Sequence, residues 1–441
     1  MASEGENGFA ERMFPEPVDH GIAVPDRAVT NVDTGTDTPP DKSGGTTWYE
    51  GGGRKGEKAR QPIITYPPTR GLVTQGDPFE PVKIGVLVDM DLGQLLADWI
   101  DPTILAIEDA LNEGVYDRPV QLVVADARGL PRENFRKCRQ GYEWLCDQGC
   151  VVIVGPMISD NSLSIQDLVN QRKVPVIGWT GAWKFASEYC FTVANGDIPT
   201  EGVMCAQWLA NQGFTKVGMF WEQGSSGRDY ADFFREEAQR QGLTITRDVK
   251  LGPNPRGLPE HLQAMRDAGT EGIYYGGYGY ATFHFARAFE EIGWDPPRVM
   301  GTAFMFYSNT NEWAKGLEGW HGVDQLGEDG ANPNYNAMIE RFEKRFNRTS
   351  RNVVVALAYD TARCAIHGIA NAGMATPEEV KNGLERIRWM PATNGGPATY
   401  VQFGPHDRKG YKGDFLVIRE LRGGELRFDG YHRPQFPSNR P

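Results

Sequence analysis

From residue 82 onward the chain alternates between nearly continuous apolar runs and stretches in which apolar residues return every three or four positions. In "PVKIGVLVDM", Ile84, Val86, Leu87 and Val88 form a run suited to a strand covered on both faces, as in a parallel sheet. Next comes a helical pattern in which Asp101 caps, Pro102 opens, Ile104, Ile107 and Leu111 share a face, and Gly114 ends the helix. "PVQLVVAD" reads as a strand, and "ENFRKCRQGYEWLCDQG" as a helix with Phe135, Cys138, Tyr142 and Leu145 in register. "CVVIVGP", "SLSIQDLVNQRK" and "PVIGWTGA" then read as strand, helix and strand.

After "FTVANGDIPTEG" the same alternation starts again, with helices over 200–212, 226–241, 258–268 and 280–292. Between them lie the strands "KVGMFW", "LTITRDVKL", "GIYYGG" and "RVMGTAF". Alternating βα units imply right-handed crossovers, and two successive runs of them imply an α/β fold of two doubly wound parallel-sheet lobes. Helices in "NPNYNAMIERFEKRF" and "NVVVALAYDTARCAIHGIANAG" follow, then one capped by Thr376 with Pro377 in its first turn, then a hairpin-like "GDFLVIRELRGGELRFDGYH". Residues 1–79 are poor in aliphatics and rich in Gly, Pro, Asp and Thr, a composition that buries too little apolar surface to offset chain entropy and predicts a disordered polar tail.

Composition narrows the partners. Against 46 basic residues stand 58 acidic ones, a formal charge of −12, so nucleic acid and anionic lipid surfaces lack the positive field they require. No apolar run approaches the ~20 residues of a membrane span. The six cysteines contain no CxxC pair and read as small buried hydrophobes of a reduced protein. The opening "MASEGENGFAERMFPEPVDHG" has early acids and no apolar core, which predicts a cytoplasmic chain unless the true start differs.

Open parallel sheets bind ligands beyond the carboxyl ends of their strands, so chemistry is sought in the turns that follow strands. Those turns are "DMDLGQ", "GPMISDN", "GWTGAW", "WEQGSSGRDY", "GGYGYAT" and "GTAFMF". Gly277-Tyr278-Gly279 begins a dinucleotide fingerprint whose third glycine would fall on Thr282, and the turn after the first strand lacks the motif as well. G-x-S-x-G is absent, and the seven histidines have no metal-ligand spacing. No catalytic set emerges, and neither cofactor nor metal is implied. Ser159 and the pair Ser225-Ser226 stand where strands pass into helices, as plain N-caps or as donors to a polar ligand. Trp179, Thr180 and Trp183 set aromatic surface beside a hydroxyl. Each tryptophan is either core or ligand shelf.

"GIYYGGYGYATFHFARAFEEIGW", taken with "VKIGVLVD", "VVIVGPMISDNSLSI", "VPVIGWTGA", "TKVGMFWEQGSSGRDYADFF" and "RVMGTAF", resembles the leucine/isoleucine/valine-binding family, the type I periplasmic substrate-binding proteins of ABC transporters. The resemblance runs over residues 80–430. It implies two lobes joined by three crossovers that close on a small ligand, with passages near 194–199, 322–327 and 406–413. The lobes would then be 80–195 with 325–405, and 196–324 with 406–441. Ser159 matches the family's carboxylate-binding serine and Tyr278 its ammonium-contacting tyrosine, while the partner threonine and glutamate positions fall on Ala182 and Ala303. With those two gone, an α-amino acid is not the expected ligand. The expected one is an uncharged or singly charged organic molecule, such as an amide, short acid or aromatic. It would be hydrogen-bonded by Ser159, Thr180, Ser226 and Tyr278 and walled by Trp179, Phe304, Trp99 and Trp183 around Ala303. Expected partners are an ABC permease or, since the chain is similar also to cytoplasmic amide-sensing regulators of this fold, a regulatory protein.

Overall fold

The computed structural model describes residues 81–429 apart from 90–94, 128–134, 195, 253–254, 309–312, 326–331, 351 and 414–415; ahead of them it describes four short strands within 23–65. The tail expected over 1–79 otherwise lies outside the described residues.

The first lobe is built from β1 (Val82–Val88), α1 (Leu95–Asn112), β2 (Val120–Asp126), α2 (Phe135–Asp147), β3 (Val152–Val154), α3 (Ser159–Arg172), β4 (Val176–Gly178) and β5 (Cys190–Thr192). The second lobe contains α4 (Ile198–Asn211), β6 (Lys216–Glu222), α5 (Ser225–Arg240), β7 (Thr244–Leu251), α6 (Leu258–Asp267) and β8 (Gly272–Gly276). It continues with α7 (Thr282–Ile292), β9 (Arg298–Met300), α8 (Ala303–Ser308) and β10 (Trp320–Asp324). The parallel strands run in the order β2-β1-β3-β4-β5 in one sheet and β7-β6-β8-β9-β10 in the other, so each lobe repeats one winding. In each the strand order reverses beside the first strand, between β1 and β3 and between β6 and β8, and the carboxyl ends there form a crevice.

The chain returns as α9 (Pro333–Phe346), α10 (Val353–Ala370), α11 (Pro377–Leu384), β11 (Met390–Pro391), β12 (Tyr400–Val401) and β13 (Tyr411–Lys412) against the first lobe. It ends as β14 (Val417–Arg422) and β15 (Glu425–Phe428) on the second sheet. This last passage between lobes lies between Lys412 and Val417, beyond the expected 406–413, because Tyr411 is still anchored to the first lobe by its hydroxyl bond to Asp360 at 3.0 Å. The helix expected to open at Pro102 instead starts at Leu95 and carries Pro102 in its interior. Trp99 and Ile100 are buried, so the apolar stripe extends upstream, and Asp101 pairs with Arg348 at 2.8 Å rather than capping. α10 is long and apolar enough by length and composition to cross a membrane, but it is packed into the first lobe's core beside α1. All six cysteines are unbridged.

Candidate functional site

Each half of the crevice is fixed by a buried carboxylate at the end of its first strand. Asp89 follows β1 directly and accepts hydrogen bonds from Met157 N and Ile158 N, both at 2.9 Å, and from Asn161 Nδ2 at 3.0 Å. It thereby ties the turn after β3 to β1 and sets where α3 begins, at Ser159. Burial pushes its carboxyl up to about 6 in spite of these bonds. In the second lobe Glu222 ends β6 and accepts from Tyr278 N at 2.7 Å, Tyr280 N at 2.9 Å and the Tyr275 hydroxyl. Burial raises it to about 7. The turn it organises needs glycine at 277, since φ there is +150° and a Cβ would lie 2.5 Å from the Glu222 carboxyl carbon.

Across the crevice, Asp160 on the first turn of α3 meets the second lobe. The Tyr278 hydroxyl donates to Asp160 Oδ2 at 3.1 Å and accepts from Asp160 N at 3.3 Å. Ser226 N donates to Asp160 Oδ1 at 3.2 Å, as does the Ser225 hydroxyl. Farther out, Lys184 pairs with Asp229 at 3.1 Å. These bonds join the lobes directly.

Behind them lies a small cavity of about 50 Å³. Ser159 and Trp179 come from the first lobe, and Glu201, Tyr230, Tyr278 and Thr302 from the second; Ala303, Phe306 and Tyr307 complete its far wall. Among the described residues, Glu201, on the first turn of α4, is the one in the lining that carries a carboxyl group, and no lysine, arginine or histidine lines the cavity. Its Oε2 accepts from Thr302 N at 2.7 Å, Thr302 Oγ1 at 2.9 Å and the Tyr230 hydroxyl at 2.9 Å. Its Oε1 is buried with no hydrogen-bond partner among the described residues, and neither has the indole N–H of Trp179. Burial raises Glu201 to about 7.

Of the residues singled out from sequence, Ser159, Trp179, Tyr278 and Ala303 line this cavity. The others do not. Phe304 is fully buried in the second lobe's core, where a Cβ on Gly322 would fall 2.1 Å from its own Cβ; α8 turns it away from the crevice. Trp99 stands behind the wall, its ring 4.2 Å from that of Trp179. The Thr180 hydroxyl accepts from Ala182 N at 3.0 Å, so it shapes a turn, and Ser226 gives its backbone N–H to Asp160 and does not line the cavity. Trp183 lies outside, beside Phe233. Glu201, Tyr230, Thr302 and the anchors Asp89 and Glu222 were missed. One signal for Glu201 was legible: an acid at 201 interrupts the apolar stripe Ile198, Cys205, Trp208 and Leu209 of α4.

The family model described as periplasmic binding protein matches residues 81–415. The chain belongs to that family. Among curated relatives, the Leu/Ile/Val-binding protein homolog 3 of Brucella melitensis is 23% identical over 207 residues, which are 46% of this chain and about half (54%) of that protein. The Leu/Ile/Val-binding protein BraC3 of Rhizobium johnstonii is 20% identical over 67% of this chain and 80% of its own. A substrate-binding protein from Desulfitobacterium hafniense, solved with Leu, superposes with a TM-score of 0.66 at 17% identity over 79% of this chain and 100% of that one. A solute-binding protein from Rhodopseudomonas palustris BisB5, solved with 3,4-dihydroxybenzoic acid, gives 0.65 at 18% identity over 80% and 96%.

The three buried carboxyls set a pH dependence of stability. Asp89, Glu201 and Glu222 are each raised above their ordinary values, so folding favours their protonated forms. Their contribution is complete below about pH 4 and is lost as pH rises through 6 and 7. Melting by differential scanning calorimetry is therefore expected several degrees higher at pH 5.5 than at pH 8, with a smaller gap in Glu201→Gln. A melting point that climbs from pH 5.5 to pH 8 would contradict the assignment.

Proposed function

We propose that this periplasmic binding protein is the ligand-capturing component of an ABC-type uptake system, and that it closes its lobes on a small organic molecule lacking a carboxylate. The observation that carries this reading is the charge of the crevice. Asp160 stands on the first turn of α3, where a ligand carboxylate would dock on the helix N-terminus, and among the described residues no cationic side chain lines the cavity. The rings of Trp179, Tyr230, Tyr278, Phe306 and Tyr307 stand in the wall and offer a ligand apolar surface. The position at 303 has no carboxylate, in keeping with the sequence, but Glu201 brings one into the cavity from α4. Leucine, isoleucine and dihydroxybenzoate, the ligands named for structural neighbours, all carry a carboxylate and are the natural competitors to exclude.

Capture works through the cross-lobe bonds: a ligand that fits only the closed cavity adds its contacts to those of Asp160 and shifts the population toward closure. Small-angle scattering is expected to show a smaller radius of gyration at ligand saturation. Tyr278→Phe removes the hydroxyl that both donates to and accepts from Asp160, a loss of about 1–2 kcal/mol. The unliganded variant should therefore open, and ligand affinity should fall about tenfold. Micromolar leucine binding by tryptophan fluorescence would overturn the ligand class, and an unchanged radius at saturation would overturn closure.

A further inference from the structure

Resting on the capture reading, we propose that Glu201 selects the ligand: it takes an N–H of a protonated amine or amidine on Oε1, inside an aromatic box. Three observations converge. First, Oε1 is a buried acceptor aimed at no protein donor, while Oε2 already takes Thr302 N, Thr302 Oγ1 and the Tyr230 hydroxyl. An unpaired buried acceptor is costly, typically ~1–3 kcal/mol, so a ligand donor that meets it recovers a penalty already present in the empty site. Second, the rings of Trp179, Tyr230, Tyr278, Phe306 and Tyr307 surround the same space. Ring faces attract a cation, and one held among several of them without water binds favourably. Third, among the described residues no lysine, arginine or histidine lines the cavity to pair with an anion.

The surroundings of Glu201 leave the pairing to the ligand. Gly181 and Gly196 approach Oε1 and Gly301 approaches Oε2, so the sides of the carboxyl are covered by backbone without charge. Asp197, at the N-cap of α4, is itself paired with Lys409, which lies just ahead of β13. Tyr230, Tyr274 and Cys205 are held far above their ordinary values by burial and stay neutral. Binding an ammonium group therefore favours the ionised carboxylate and expels any proton that Glu201 carries, given that burial places it near 7. The sign follows: affinity for an amine rises with pH, by up to tenfold per pH unit below 7, and levels off above it.

The test uses the full chain and isosteric sets of probes: benzylamine, benzamide and benzoate, and isopentylamine, isovaleramide and isovalerate. Tryptophan-fluorescence titration and calorimetry in two buffers of different ionisation enthalpy are run from pH 5.5 to 8.5. The expected result is at least tenfold tighter binding of the amines than of the amides and acids, with proton release at pH 6.5. Glu201→Gln should abolish both the preference and the pH slope, with unchanged far-ultraviolet circular dichroism. Equal slopes in the two proteins, or amides or acids that bind more tightly than amines, would overturn the assignment to Glu201 while leaving capture intact. If no probe of any charge binds or contracts the lobes, the capture reading falls and the assignment falls with it.

Discussion

Glu222→Ala is expected to lose ligand binding altogether and to lower the stability of the second lobe by about 3–9 kcal/mol, through three donors that it leaves unpaired. Glu222 is fully buried and receives Tyr278 N, Tyr280 N and the Tyr275 hydroxyl, so its removal strands two backbone amides and a phenol in an apolar surround. Each stranded donor costs ~1–3 kcal/mol. The site is affected beyond its stability. Gly277 has a φ that only glycine holds comfortably, and it is the Glu222 carboxyl that pulls this turn inward so that Tyr278 points at Asp160. Urea unfolding followed by circular dichroism should show the loss as a lower midpoint, with a two-step transition if the lobes uncouple. Glu222→Gln, which keeps one acceptor oxygen, should recover part of the stability and less of the affinity. Full ligand affinity in Glu222→Ala would mean that the tyrosine turn holds its shape unaided.

The contrast between strands and site explains what could be read in advance. β1, β2 and β6 were legible because a parallel strand covered on both faces leaves a continuous apolar run, and the cap Thr376 with Pro377 after it was legible because N-cap chemistry is local; its hydroxyl accepts from Glu379 N. α1 was misjudged at its start because Pro102 looks like a first-turn residue whether or not a helix has already begun. In the site, Ser159, Trp179, Tyr278 and Ala303 could be placed because they sit on turns that immediately follow strands. Glu201 could not, because it enters from a helix after the lobe crossing, and its partners Thr302 and Tyr230 are distant in sequence. Asp89 and Glu222 have the same difficulty: the last residue of a strand reads as a boundary, and its work on a turn 56 or more residues away is a tertiary fact. Phe304 was assigned to the pocket as an aromatic on a post-strand turn, but the six residues Ala303–Ser308 are a helix, which rotates it into the core and leaves Ala303 facing the cavity.

Trp179→Ala is expected to cost about 3–5 kcal/mol of stability and at least a hundredfold in ligand affinity, and the two losses have separable causes. The stability loss comes from the packing of Trp179 on Trp99, whose rings lie 4.2 Å apart and tilted by 31°, both almost fully buried. The affinity loss comes from the part of the same side chain that lines the cavity, which carries an indole N–H with no partner among the described residues. Trp99→Phe tests the first cause alone, because Trp99 stands behind the wall. It should lower the urea midpoint while changing affinity by less than about threefold. Trp179→Phe tests the second, since a phenyl ring fills most of the space but removes the N–H and narrows the face. That variant should lose more affinity than stability. Fluorescence offers a direct readout: ligand quenching should vanish in both Trp179 variants and survive in Trp99→Phe. Quenching that persists in Trp179→Ala, with affinity intact, would place the ligand elsewhere than between Trp179 and Tyr278.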